Sequence, residues 1–325
     1  FRNRDQAAAV QTIISNPGDS YLVVLPTGAG KSDIVFLSSL YERKRGRITL
    51  LILPFVALRY DLVGRGRALG LNIVEWSSGV SKDSIAKADI LLLSIESIDT
   101  GRFRQQFTEL LISKSGKSLI ARIFFDEAHT ILSHWNFRPS FQAVSDLASM
   151  QVPIVLLSAT VPPNKVHQVQ RVYNRPDLRL IRAPSTMRAN IRYSVERVPD
   201  EALKDTLMRR VGAFLAHASP KDRALVFCMS VSTTEELYDG IKSKFDTTYY
   251  YHGQLDESVK KIVLDKWIAG EYKLVFCTSG FGVGIDYGSV ALVIHYGGMW
   301  QLVDFVQESG RAGRDGNQAQ SSVLL

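Results

Sequence analysis

Residues 21–32 read YLVVLPTGAGKS: an apolar strand-like run, a proline, and a two-glycine turn closing on a lysine and a hydroxyl. Gly28 and Gly30 allow a loop tight enough to aim its backbone N–H groups at one phosphate, and Thr27 and Ala29 complete the loop. The following DIVFLSSLY opens a helix whose N-terminus faces the same point. Lys31 then reaches the β/γ oxygens and Ser32 holds a magnesium ion. Leu25 stands where the full G-x-x-x-x-G-K-[ST] pattern has its first glycine, so this is the Pro-Thr-Gly-x-Gly-Lys variant.

Outward from this stretch, short apolar runs alternate with longer amphipathic segments: ITLLIL at 48–53, DILLL at 89–93, RIFF at 122–125 and PIVLLS at 153–158. Continuous apolar strands separated by helices form a parallel sheet covered on both faces. After IRAPSTMRANIRY at 181–193 the pattern restarts with ALVFC, TTYYY, KLVFC, ALVIH and SSVLL. The expectation is two α/β domains, residues 1–183 and 193–325, with a linker at 184–192.

A second motif, IFFDEAH, puts Asp126 and Glu127 at the end of a strand. There Asp126 serves the magnesium ion with Ser32, and Glu127 serves an attacking water. A third, QESGRAGRDG at 307–316, carries two arginines three apart. On a helix they share one face, and Arg314 is the expected arginine finger with Arg311 beside it.

Composition agrees with a folded polyanion binder: 325 residues, 46% hydrophobic, net charge +7 and pI near 9.3. The charge alone decides little, since many basic domains bind no nucleic acid. No apolar run has the length of a membrane span and no signal pattern opens the chain, so an intracellular protein with no membrane role is expected. Two cysteines, each closing an apolar run, give neither a disulfide framework nor a zinc spacing. The start at Phe1 and the stop at Leu325 inside an apolar run suggest a piece of something longer.

Phe1-Arg2 with Gln6, PTGAGKS, DEAH, Ser158-Ala159-Thr160, Asn190-Ile191-Arg192-Tyr193, FGVGID at 281–286 and QESGRAGRDG stand in the order seen in superfamily-two helicases. Trp-x-Phe-Arg-Pro after DEAH and the Asn-Ile-Arg-Tyr segment make the chain resemble the RecQ branch. The resemblance spans nearly the whole chain. It implies two tandem RecA-like (P-loop NTPase) domains, ATP and Mg2+ as cofactors, and 3′ to 5′ movement on single-stranded or forked DNA with separation of the duplex ahead. It assigns Gln6 and Arg2 to the adenine, Asp286 to the nucleotide and Gln307 to the catalytic set. It implies a nuclear address in a eukaryote.

In that family the stretch after DEAH is an aromatic loop that reports DNA to the ATP site. Here Trp135, Phe137 and Arg138 fit it, by base stacking worth roughly 1–3 kcal/mol per base. The usual Trp-Gly-His-Asp-Phe-Arg-Pro is shortened to Trp135-Asn136-Phe137-Arg138-Pro139, so packing beneath the domain stays open as the alternative. Ser94, Ser230 and Thr278 are expected phosphate partners. Tyr60, Leu62, Ile95 and Met229 depart from the family at backbone-contact segments, which position a strand without reading it. Three other functions stay open on these residues. They are a translocase or RNA helicase, a non-hydrolysing nucleic-acid scaffold, and a regulatory partner using the domains for protein contacts.

Overall fold

The computed structural model describes residues 1–54, 59–98, 100, 103, 105, 107, 109, 118–134, 140–148, 150–281 and 287–325. The chain divides into two compact units, Phe1–Thr186 and Met187–Leu325.

The first unit holds strands β1 (Tyr21–Val24), β2 (Ile48–Leu53), β3 (Ile73–Glu75), β4 (Ile90–Ser94), β5 (Ile120–Phe125), β6 (Ile154–Ser158) and β7 (Arg179–Arg182). They form one all-parallel sheet in the order β3-β4-β2-β5-β6-β1-β7. Its helices are α1 (Arg4–Ser15), α2 (Lys31–Arg43), α3 (Arg59–Ala68), α4 (Lys82–Ala86), α5 (Ile95–Ile98), α6 (Thr130–His134), α7 (Ser140–Ala148) and α8 (Val166–Val172). Successive strand residues point to opposite faces. Leu22, Leu50, Ile123 and Leu156 therefore enter one core while Val23, Leu51, Phe124 and Leu157 enter the other. Both faces are buried, which is why the strands read as unbroken apolar runs.

The second unit repeats the design with β8 (Ile191–Glu196), β9 (Arg223–Cys228), β10 (Thr248–Tyr251), β11 (Leu274–Cys277), β12 (Val290–Tyr296) and β13 (Ala319–Leu324). Their order is β10-β11-β9-β12-β13-β8, again all parallel. Helices α9 (Asp200–His217), α10 (Val231–Asp239), α11 (Glu257–Ala269) and α12 (Leu302–Ser309) flank it. Two further cores cover its faces, with Phe227 and Val275 in one and Val226 and Phe276 in the other. Cys228 and Cys277 are buried free thiols, and burial pushes Cys228 up to about 12. Among the described residues no helix is long and apolar enough to cross a membrane.

Every apolar run named from the sequence is a strand. Strands β3, β7 and β8 were not marked by such runs. All three are sheet edges, and β7 and β8 expose residues along their length, so their sequences alternate weakly.

Candidate functional site

In the first unit the loop after β1 turns through Gly28 (φ +76°) and Gly30 (φ +79°) into α2. Both lie in the left-handed region that glycine tolerates. A Cβ on Gly30 would collide with the Gln6 amide and approach Asp33 Oδ2 to 2.9 Å. Lys31 opens α2, and its Nζ lies 3.5 Å from the Leu25 carbonyl oxygen and 3.4 Å from that of Pro26. Ser32 follows in the first turn.

Helix α1 is held against this loop. Gln6 is fully buried; its Nε2 donates to the Gly30 carbonyl at 2.9 Å and to Asp33 Oδ2 at 3.2 Å, and its Oε1 accepts from the Arg2 amide at 2.6 Å. Arg2 pairs with the same Asp33 oxygen at 3.3 Å, and Arg65 of α3 pairs with the other oxygen at 2.7 Å. Asp33 is thus a hub joining α1, α2 and α3. Sequence reading missed it, although an acidic residue in the first turn of a helix is a recognisable signal.

Asp126 and Glu127 follow β5 at the carboxyl end of the sheet. The Glu127 amide donates to Asp126 Oδ1 at 2.9 Å, and Glu127 sits at φ +45°, a left-handed conformation costly for a residue with a Cβ. Burial, then the neighbouring Glu127 charge, pushes the Asp126 carboxyl up to about 6, and Lys31 opposes the shift. Glu127 Oε2 is buried and accepts no hydrogen bond. Two carboxylates against one ammonium leave this cluster short of positive charge, and a divalent cation beside Asp126 and Ser32 fits the deficit. His129 Nδ1 lies 3.0 Å from Ser158 Oγ and 3.4 Å from Glu127 Oε2. Ser158 also accepts from the Thr160 amide at 3.1 Å, which ties the end of β6 to the acidic turn.

Ser94 ends β4 with its Oγ 2.9 Å from that of Ser97. Both line a cavity of about 80 Å³ with Arg59, Glu75 and Trp76, where Arg59 pairs with Glu75 at 3.1 Å. Trp135, Phe137 and Arg138 lie outside the described residues, as does Asp286.

In the second unit Ser230 caps α10, accepting from the Thr233 amide at 3.0 Å, and Thr278 follows the neighbouring strand β11. Gln307 lies on α12. Arg311 and Arg314 do not, contrary to the helical placement expected from their spacing. The helix stops at Ser309 with Gly310 as its cap, and Gly313 at φ +53° turns the chain. The two arginines leave from a turn, so their directions are set by backbone hydrogen bonds rather than by helical periodicity. Arg311 and Arg314 both border a small cavity lined by Trp267, Phe281 and Tyr287.

Comparison with known proteins gives the geometry a context. Residues 3–169 match the DEAD/DEAH box helicase family and residues 202–316 the helicase conserved C-terminal domain. Over 97% of its length the chain is 27% identical to the ATP-dependent DNA helicase hus2/rqh1 of Schizosaccharomyces pombe and 29% identical to the ATP-dependent DNA helicase Q5 of Mus musculus. It is also 27% identical to a putative ATP-dependent DNA helicase Q1 of Caenorhabditis briggsae, over 96% of the chain. It covers 24%, 33% and 51% of these relatives, so it spans about half their length or less. The fold is similar to S. cerevisiae Dbp5 bound to RNA and ADP BeF3, with a TM-score of 0.78 at 16% identity over 99% of this chain and 83% of that one. The DEAD-box helicase Mss116 bound to ssRNA and UDP-BeF gives a TM-score of 0.76 at 15% identity, over 100% of this chain and 70% of that one.

Proposed function

We propose a function from the premise that this chain belongs to the DEAD/DEAH box helicase family and is a RecQ-like core within it. It is an ATP-dependent DNA helicase core that couples hydrolysis to 3′ to 5′ movement on single-stranded DNA and to opening of a forked duplex. Residues 1–183 form the nucleotide-binding lobe, 184–192 the linker and 193–325 the second lobe. The relatives named as DNA helicases favour DNA over RNA, and the RecQ resemblance implies a nuclear address in a eukaryote.

The observation that carries the reading is the acidic turn after β5. A strained Glu127 with an unbonded carboxylate oxygen stands next to a destabilised Asp126, with Lys31 close enough to oppose the shift. Such a cluster is costly to fold and is what water activation beside a phosphate requires. Gly28, Gly30 and the N-terminus of α2 cradle the phosphates, with Thr27 and Ala29 in the same loop. Lys31 releases its loop carbonyls to meet the β/γ oxygens. Ser32 and Asp126 would hold Mg2+, which would supply positive charge against the phosphates. Glu127 orients the attacking water, and His129 through Ser158 holds the end of β6 beside it. Arg2 and Gln6 are assigned to the base, the Gln6 amide exchanging its bonds to Gly30 and Asp33 for the adenine edge; Asp286 and Gln307 complete the nucleotide set, and Arg311 and Arg314 offset charge that develops on the γ-phosphate. Ser94, Ser230 and Thr278 follow strands at the carboxyl ends of the sheets and take DNA phosphates.

The test is ATP turnover with and without single-stranded DNA, for the unaltered chain beside Trp135→Ala. Stimulation by DNA that disappears in the variant while basal turnover persists is the expected result, with Phe137 and Arg138 sharing the contact. Equal stimulation in both assigns Trp135 to packing, and no turnover in either removes the hydrolase reading.

A further inference from the structure

The turn that carries Arg311 and Arg314 is held from below by two side chains of the preceding segment. Arg188 donates through Nη1 to the Ala312 carbonyl at 2.8 Å and to that of Gly310 at 3.4 Å, and through Nη2 to the Gly313 carbonyl. Asn190 donates through Nδ2 to the Gly313 carbonyl at 2.8 Å and to that of Asn317 at 2.7 Å, and its Oδ1 lies 3.4 Å from Arg188 Nη2. The backbone joins in, because the Ala319 amide donates to the Asn190 carbonyl at 2.9 Å. One guanidinium and one carboxamide therefore engage the carbonyls of residues 310, 312, 313 and 317, which bracket both arginines.

Only Gly310, the cap of α12, belongs to the helix end; the carbonyls of 312, 313 and 317 lie in the turn beyond it, where no helical ladder supplies a donor and side chains must. The fork geometry of arginine suits it to several acceptors at once, which an ammonium cannot match. Gly313 is part of the fit: a Cβ there would stand 2.6 Å from Asn190 Nδ2 and 2.7 Å from the Asn317 carbonyl oxygen. Burial, then the charge of Arg314, pulls the Arg188 guanidinium below its ordinary value. Placing a second cation within reach of Arg314 costs energy, so carbonyl binding must outweigh repulsion for the arrangement to persist.

We infer that Arg188 and Asn190 are positioning residues for Arg314, fixing the backbone from which its guanidinium group leaves. The assignment rests on the hydrolase reading above. A residue acting through Arg314 loses its effect once Arg314 is gone, whereas a residue serving only stability does not.

The experiment measures kcat and KM for ATP with single-stranded DNA for the 325-residue chain, for Arg188→Lys, for Arg314→Ala and for the double variant, beside circular-dichroism melting of each. Arg188→Lys keeps the charge and loses the fork. Its kcat is expected to fall roughly 10- to 100-fold with KM changed by less than about 3-fold, and the double variant is expected to match Arg314→Ala alone. Parity of Arg188→Lys with the unaltered chain, or full multiplication of the two losses in the double variant, overturns the assignment. Should Arg188→Lys melt out, Asn190→Ala enters the same cycle and decides by the same criterion. Absence of turnover in the unaltered chain overturns the hydrolase reading and this assignment with it, whereas turnover there with additive losses overturns the assignment alone.

Discussion

Asp126 concentrates the conflict between stability and chemistry in this protein. Its carboxyl is pushed up to about 6 by burial and by Glu127, so the fold favours the protonated form. The group's folded value exceeds its unfolded value. Ionisation at neutral pH therefore works against folding, and that penalty is relieved as pH falls from about 6 toward the ordinary carboxylate range. A carboxamide in its place would mimic the neutral acid at every pH. Asp126→Asn is thus expected to stabilise the metal-free chain at pH 7.5 by on the order of 2 kcal/mol, while turnover is lost. Calorimetry in chelator should show a higher Tm for the variant, with the gap narrowing below pH 6. A variant that melts lower at pH 7.5 contradicts this account of the site. Gln6 shows the other side of the same scale. Its type and place were legible in the sequence, but its burial and its spent amide were not, because Gly30 and Asp33 reach it from 24 and 27 positions away.

Elements differ in how openly the sequence announces them. Strands β1, β2, β5 and β6 are buried on both faces, so their residues must be apolar at nearly every position and the runs stand out. Strand β8 is the contrary case: Ile191 packs into the core while Arg192, Ser194 and Val195 are exposed, the last at 64%. An exposed edge asks little of its side chains beyond discouraging a new neighbour. Val195→Lys should therefore change unfolding free energy by no more than about 0.5 kcal/mol in a urea titration; a loss several times larger would mean that this face is covered. Helix α12 shows the limit of periodicity. Three-residue spacing placed Arg311 and Arg314 on one helical face, but Gly310 ends the helix before either, and long-range bonds from Arg188 and Asn190, with the Val290 and Gly288 carbonyls, replace it. The phosphate loop and the acidic turn were legible because their chemistry is local to a few consecutive residues. The Asp33 hub and the Arg188 clamp depend on residues far apart in the chain.

At the scale of the molecule the two units have separate cores, one cluster on each face of each sheet. A cavity cut into one unit should leave the other's cohesion intact. Phe124→Ala removes a fully buried ring from the first sheet, and about 3–5 kcal/mol of that unit's stability with it. Scanning calorimetry is expected to show one transition moved to lower temperature and a second in place; a single transition shifted as a whole would show that the units unfold as one. The pairing of the first strand of the second unit with its last has a further consequence, for the order of synthesis. A ribosome delivers Asn190 127 residues before its partner Asn317, an interval of roughly ten seconds at ordinary elongation rates. By then every strand of the first sheet has been made, whereas β8 still waits for β13 and the sheet ends at the open edge of β12, whose other side pairs with β9. A nascent chain stalled in that window carries a finished first unit and an open strand edge in the second, the form in which it is most exposed to pairing with another chain.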